Sequence, residues 1–352
     1  MAYHQAMTVS QRTAARLAWS RAALGDDTLT LAPASADASF RSYWRTRHAG
    51  QSWIVMDSPP ALEDPAPWLA IGARLAAAGL HVPAVRAHDV RQGFLLIEDL
   101  GSQLYLPALN DATVDALYGD ALRALLRMQR DVDTEGMQRY TREFLLRELE
   151  IMPEWFLRRH LGHTPGCAEW DVLEAGFTTL LHNALAQPQG FVHRDYHSRN
   201  LLIVPHDLPQ NIATRLPSPG IIDYQGALIG PITYDLASLL RDCYIAWDRR
   251  RVEAWADSYR LHLQAAQLID GSVDRGQFLR WFDLTGLQRH IKVLGIFCRL
   301  CYRDGKPGYL DDLPRVYGYV IEVATRYPEL ADFAALLQRC VGARDLRQAA
   351  DA

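Results

Sequence analysis

The stretch from Val9 to Leu24 reads as an amphipathic helix, with Ser10 as its N-cap. From Phe40 to Arg47 the pattern turns strand-like. His48-Ala49-Gly50 then makes a turn, and Trp53 to Met56 is a second run rich in bulky and β-branched residues. Asp64 followed by Pro65 predicts an N-cap and a first-turn proline, opening a helix that ends near Gly79. Val82 to Val90 and Phe94 to Glu98 add two extended segments around a turn at Arg91-Gln92-Gly93. The first hundred residues therefore predict a small, largely antiparallel sheet with one or two helices.

After Asp99-Leu100-Gly101 the character changes. Residues 111–130, 141–160 and 168–186 are helical by period, a short β-rich island runs from Phe191 to Asp223, and helices return from Tyr234 onward. Pro205 to Pro219, with its several prolines, predicts a surface loop between two short strands. Strands first, then helices around a small β insertion, give an α+β class with segregated layers. The connector Glu98–Gly101 divides the chain into a sheet-bearing region, 1–100, and a helical region, 101–352.

Composition narrows the function classes. With 352 residues and 49% hydrophobic content there is ample material for a sizeable core. A net charge of −4 argues against broad binding to nucleic acid or an anionic membrane. The first thirty residues hold several charges and no sustained apolar run, so no secretory signal is expected. The five cysteines, an odd number, predict reduced thiols in a cytoplasmic protein. Cys298 and Cys301 have CxxC spacing but lie in an apolar helical run with no second pair, which reads as two packed thiols. The only lysines are Lys292 and Lys306, so any mechanism needing an N-terminal lysine is excluded.

The most informative segment is Phe191-Val192-His193-Arg194-Asp195-Tyr196-His197-Ser198-Arg199-Asn200-Leu201-Leu202-Ile203. An apolar strand leads into an aspartate, an asparagine follows five positions later, and another apolar strand leaves. Ile221-Ile222-Asp223-Tyr224-Gln225-Gly226 again delivers an aspartate into a turn. Phosphoryl transfer needs this kit: one carboxylate to orient and deprotonate an acceptor hydroxyl, and an amide oxygen with a second carboxylate to hold Mg²⁺ against nucleotide phosphates.

His193-Arg194-Asp195 with Asn200 resembles the kinase catalytic loop, and Asp223-Tyr224-Gln225-Gly226 stands where Asp-Phe-Gly would. With His197 two residues past the aspartate, the loop is more similar to the aminoglycoside and choline phosphotransferase branch. So are Gly230-Pro231, Tyr234-Asp235-Leu236-Ala237 and the connector Leu95-Leu96-Ile97-Glu98-Asp99-Leu100-Gly101. Ile54-Val55-Met56-Asp57-Ser58-Pro59-Pro60, Pro153-Glu154-Trp155-Phe156, Gln288-Arg289-His290-Ile291-Lys292 and Arg303-Asp304-Gly305-Lys306-Pro307 narrow the likeness further. They resemble the bacterial anomeric sugar kinases that phosphorylate N-acetylmuramate and N-acetylglucosamine at C1 in cell-wall recycling.

That resemblance implies a two-lobed kinase-like fold using ATP and Mg²⁺. It implies Asp195 as catalytic base, Asn200 and Asp223 as metal ligands, and His193, His197 and Asp235 as support for the catalytic loop. Ser35, Ser39, Phe40 and Arg41 or Arg45 would cover the phosphates, and the backbone at Glu98, Asp99 and Leu100 would meet adenine. For an amino-sugar acceptor the candidates are Glu150, Glu154, Trp155, His290, Lys292 and Arg303. A ring-stacking Trp and carboxylates suit a sugar, and a cation suits the lactyl carboxylate of N-acetylmuramate. The partners implied are the sugar and ATP, with no nucleic acid or membrane, for a monomer in the cytoplasm.

Two departures stand against the kinase pattern. Met56 or Asp57 occupies the place of the phosphate-binding lysine, and the helix from Asp64 to Gly79 has no Glu, Glu63 lying just before it. No Gly-rich loop precedes them; Pro33 to Phe40 takes its place. Arg41 or Arg45 is expected to supply the missing positive charge. Besides the anomeric sugar kinase, two readings stay open: an aminoglycoside- or choline-type phosphotransferase, and a nucleotide-binding pseudokinase.

Overall fold

The computed structural model describes residues 8–36, 40–204 and 218–349. They fall into two compact units, Met1–Ala124 with Arg199–Gly226, and Leu125–Ser198 with Ala227–Ala352. Most of the expected loop Pro205–Pro219, and Ser39, lie outside the described residues, as does the side chain of Ser35.

The first unit opens with helix α1, Val9–Leu24. Its N-cap is Thr8 rather than Ser10: the Thr8 hydroxyl accepts from the Gln11 N–H while the Gln11 side chain accepts from the Thr8 N–H. The strands are β1 (Ala32–Ala36), β2 (Ser42–His48), β3 (Gln51–Asp57), β4 (Val85–Asp89) and β5 (Phe94–Glu98), with helix α2 (Ala66–Ala77) between β3 and β4. All pairs are antiparallel, in the order β1-β2-β3-β5-β4. The segment read as a substitute phosphate loop thus begins as an edge strand, where Pro33 is tolerated beside a register shift. Val55 and Leu96 face each other across β3 and β5 and pack with Leu24 and Leu29 into a small core beneath α1.

Asp57, one of the two residues expected at the place of the usual lysine, is a docking residue. Arg12 donates to its Oδ1 from Nε (2.9 Å) and Nη2 (2.6 Å), and Arg16 donates to its Oδ2 at 2.8 Å. That position fastens α1 to the sheet, and Met56 beside it is fully buried. The chain then turns at Ser58, whose N–H donates to the Gly93 carbonyl and whose hydroxyl donates to the Glu63 carbonyl. Gly93 has φ +74° and a Cβ there would lie 1.9 Å from the Ser58 oxygen, so only glycine allows this closure. The same unit contains α3 (Tyr105–Ala108), the start of α4 (Val114–Asp131) and a two-stranded ribbon. The ribbon pairs β7 (Leu201–Leu202) with β8 (Gly220–Ile221), β6 being Gln189–Val192 of the second unit.

In the second unit the stretch expected as one helix over 141–160 is two pieces. They are α5 (Arg142–Leu149) and a π-helical segment, Pro153–His160, with the proline at its first turn. Then come α6 (Cys167–Ala186) and the pair of β6 with β9 (Leu228–Pro231). Helices α7 (Tyr234–Leu240), α8 (Arg249–Ala265), α9 (Arg275–Tyr302), α10 (Leu313–Ala324) and α11 (Ala331–Val341) complete it. Helix α9 is the axis of the large core, with Leu284, Leu287, Ile291, Leu294 and Cys298 buried. Gly295 lets the backbone at Ile151 approach: a Cβ would sit 2.6 Å from the Ile151 carbonyl. All five cysteines are free thiols, and burial pushes the Cys298 thiol well up, which makes it inert. Among the described residues no helix is long and apolar enough to cross a membrane.

Candidate functional site

In the first unit, β7 and β8 bring Asn200 and Asp223 side by side. The Ile222 N–H donates to the Asn200 carbonyl at 3.1 Å, and Asn200 Nδ2 lies 3.3 Å from Asp223 Oδ2. Asp223 takes φ +65°, a left-handed turn that aspartate tolerates better than most residues. Tyr224, next to it, is buried and packs on Trp68 of α2 with ring centroids 5.1 Å apart. An amide and a carboxylate on adjacent backbone form a hard-oxygen donor set of the kind Mg²⁺ takes.

Arg41 is the centre of an ion-pair network in this unit. Arg41, only 3% exposed at its side chain, places Nε 3.3 Å from Glu63 Oε1 and Nη2 2.7 Å from Asp223 Oδ1. Gln225 Nε2 also donates to Asp223 Oδ1, at 2.9 Å. Glu63 was outside the expected site because it precedes the helix; the loop closed by Ser58 and Gly93 is what brings it to Arg41. Pairing of charged residues is the rule for such a buried guanidinium.

Arg45 lies at a different place. It clamps Asp99 with both arms of its fork, Nε to Oδ2 at 2.6 Å and Nη2 to Oδ1 at 3.0 Å. Ser52 Oγ and the Gly101 N–H donate to the same carboxylate. Burial alone would raise the Asp99 carboxyl, but Arg45, Ser52 and the Gly101 amide hold it below the usual carboxylate range. Asp99 therefore fixes the backbone of the connector through its side chain. Glu98 Oε2 accepts from the Ala84 N–H and Leu100 is buried, while Phe40 is 66% exposed.

In the second unit the loop after β6 carries the proposed base. Asp235 at the start of α7 accepts from the backbone N–H of His193 (2.6 Å) and of Arg194 (3.0 Å). Burial pushes its carboxyl up to about 7 against the pull of those amides. The Asp195 N–H donates to His193 Nδ1 at 3.3 Å, so the ring and the carboxylate together shape the loop. Arg194, at φ +80°, donates to Tyr140 Oη and pairs with Glu148. Ser198 donates from both N and Oγ to Asp242.

Asp195 lines a cavity of about 140 Å³ that also takes in His197, Cys243, Arg289, Lys292, Phe297 and Tyr309. Burial would raise its carboxyl; Lys292, His197, Arg289 and Arg194 outweigh that and hold it below the ordinary range, hence ionised at neutral pH. Of the six acceptor candidates, Lys292 faces this cavity. Glu154 pairs with Arg158 on an exposed turn, Glu150 is the exposed end of α5, and Arg303 is exposed and paired with Asp304. Trp155 packs against the large core. His290 points elsewhere, bonding the Arg241 carbonyl from Nε2 at 2.8 Å and packing on Tyr319.

Arg289 was missed, although a signal for it existed. Positions 289, 292, 293, 296, 297 and 300 follow helical spacing and share one face of α9, all of them on the cavity wall. His290 is one position off that face. Glu148 lies outside every quoted motif and carries no such signal.

The profile of the "Phosphotransferase enzyme family" matches residues 30–269. An N-acetylmuramate/N-acetylglucosamine kinase of Pseudomonas putida is 43% identical over 308 residues, 88% of this chain and 87% of that protein. Among solved structures, a Plasmodium vivax ethanolamine kinase superposes with TM-score 0.63 at 10% identity, covering 94% of this chain and 93% of that one. An ADP-bound aminoglycoside phosphotransferase gives 0.55 at 13% identity, over 86% and 96%. At those identities the two structures share the fold.

Proposed function

The chain belongs to the phosphotransferase enzyme family, and from that premise we propose that it is an ATP-dependent kinase of N-acetylmuramate and N-acetylglucosamine. It phosphorylates the anomeric C1 hydroxyl, giving sugar 1-phosphates for peptidoglycan recycling in the cytoplasm, as a monomer. One observation carries the reading: Asp195, held ionised by surrounding cations, lines a cavity whose other charged walls are Arg289 and Lys292. A pocket for a polycationic aminoglycoside would be acidic instead. The relative's name supplies the acceptor class, and the cavity supports it.

Asp195 orients the C1 hydroxyl and accepts its proton on a carboxylate oxygen. A base with a lowered pKa suffices because the ring oxygen makes a hemiacetal hydroxyl more acidic than an alcohol. His193 and Asp235 hold the loop so that Asp195 meets the hydroxyl in one geometry, which is where positioning catalysis gains most. Asn200 and Asp223 are the residues that would hold Mg²⁺, which neutralises phosphate charge when bound. Arg41, oriented by Glu63, replaces the missing lysine toward the phosphates of ATP, a nucleotide-binding role it shares with the candidates Ser35, Ser39 and Phe40. Arg45, clamped on Asp99, sets the backbone of Asp99 and Leu100 that receives adenine. Residues 1–100 then cover the nucleotide, and 101–352 carry the catalytic loop, the Mg²⁺-holding Asn200 and Asp223, and the acceptor site.

The reading is tested by ADP release with Mg-ATP and N-acetylmuramate, N-acetylglucosamine, choline or kanamycin, beside Asp195→Asn. Turnover with the amino sugars, lost in the variant, supports it. Turnover with choline or kanamycin alone discards the acceptor, and ATP binding without any turnover leaves a pseudokinase.

A further inference from the structure

The cations around the cavity differ in what holds them. Lys292 places its ammonium 3.0 Å from Glu148 Oε1 and 3.3 Å from Tyr234 Oη. Arg194 pairs with the same Glu148. Asp242, next to Cys243 in sequence, accepts from Ser198 and from the Tyr244 N–H. Arg289 is different. It is 95% buried, and its one hydrogen bond among the described residues runs from Nη1 to the Cys243 sulfur at 3.7 Å. A thiol is a weak acceptor, and burial keeps this one protonated by pushing it up to about 11. A guanidinium has five N–H donors in a planar fork, and a desolvated one without a matching acceptor is expensive to keep. Yet Arg289 stands on the cavity wall with Asp195.

We propose that Arg289 is the anion-reading residue of the acceptor cavity: its fork takes a carboxylate carried by the sugar, two parallel N–H···O bonds that an ammonium cannot reproduce. The inference rests on the amino-sugar reading above and deepens it. N-acetylmuramate has such a carboxylate and N-acetylglucosamine does not, so Arg289 sets preference between them while Asp195 serves both. Lys292, already matched by Glu148, holds the wall in place. The positive side of the cavity then has a definite purpose: Arg289 feels the charges of Asp195 and Asp242, but no carboxylate among the described residues is in ion-pair contact with it, which leaves its fork available to the substrate.

Arg289 also helps keep Asp195 ionised, and the two roles separate by readout: losing that support lowers turnover of both sugars alike, whereas losing the fork weakens N-acetylmuramate selectively. The test compares wild type with Arg289→Lys, which keeps the charge, and Arg289→Met, which keeps much of the stem. The readouts are kcat and KM for each sugar, and calorimetric binding of each sugar without nucleotide. A charged hydrogen-bond pair is worth roughly one to two factors of ten. The expected result for Arg289→Lys is therefore a loss of binding and a rise in KM for N-acetylmuramate roughly 10- to 100-fold larger than the change for N-acetylglucosamine. Arg289→Met is expected to lose N-acetylmuramate binding further. Equal losses for both sugars in Arg289→Lys, or no loss for either, overturn the proposal. Wild type that binds neither sugar overturns it together with the parent reading, a failure visible without any variant.

Discussion

Replacing Arg41 by Met removes the cation between Glu63 and Asp223 without opening much space. Breaking a buried ion pair from one side costs about 3–5 kcal/mol. Glu63 and Asp223 keep 25% and 31% of their side-chain exposure, so water recovers part of that and about 1–3 kcal/mol of stability should go. The larger effect is on catalysis. A fixed donor facing the charge that builds on the transferring group is worth about 10²–10³ in kcat. Arg41→Met should thus lose roughly two to three orders of magnitude in turnover and raise KM for ATP, while denaturation shows a folded protein of modestly lower midpoint. Glu63→Gln should reproduce part of the loss, and the double variant should lose less than the two losses combined, because both act through one guanidinium. Arg45→Met serves as the contrast: it frees the connector, so KM for ATP rises with a much smaller change in kcat. Steady-state kinetics over ATP concentration measure all four. If Arg41→Met keeps its ATP affinity and turnover, the assignment of Arg41 as the lysine's replacement is refuted.

Two further outcomes follow from buried polar groups. The Tyr224 hydroxyl is buried without a hydrogen-bond partner among the described residues, so Tyr224→Phe should leave stability unchanged or raise it by about 1 kcal/mol; a clear fall in the thermal midpoint would contradict this. His290 is held neutral by burial and by the neighbouring Arg289 and Arg241 guanidiniums, its pKa lowered to about 3. The unfolded chain takes up a proton there near the ordinary histidine pKa and the folded protein does not, so stability drops as pH falls from about 6.5 toward 3. His290→Gln should soften that decline by about 2 kcal/mol between pH 6.5 and 5, read from denaturant midpoints, whereas an unchanged slope would place the acid sensitivity elsewhere.

Much of the fold is legible in the sequence because local signals and tertiary packing agree there. Helix α1 spans the expected Val9–Leu24, and the hairpin of β2 and β3 turns at Ala49-Gly50 as its residues predict. Boundaries fail where a competing local bond wins, as at Thr8, whose reciprocal bonds with Gln11 displace Ser10 from the cap. Asp195, Asn200 and Asp223 stand out in the sequence as candidates because each sits at a fixed offset from an apolar strand, and Asp235 because its segment resembles the family's. Glu63 and Glu148 do not, since loop closure and helix packing bring them to Arg41 and Lys292 from distant positions. His290 is an acceptor candidate by the resemblance of its segment, while one helical step of 100° separates it from the face that Arg289 and Lys292 share.

The central claim is that Asp195 takes a proton from an anomeric hydroxyl, and the most direct measurement is the identity of the product. N-acetylglucosamine incubated with Mg-ATP and the protein should give a phosphate coupled to the anomeric proton in ³¹P–¹H correlation spectra, with no such signal from Asp195→Asn. A phosphate on C6, or equal product from the variant, would contradict the account.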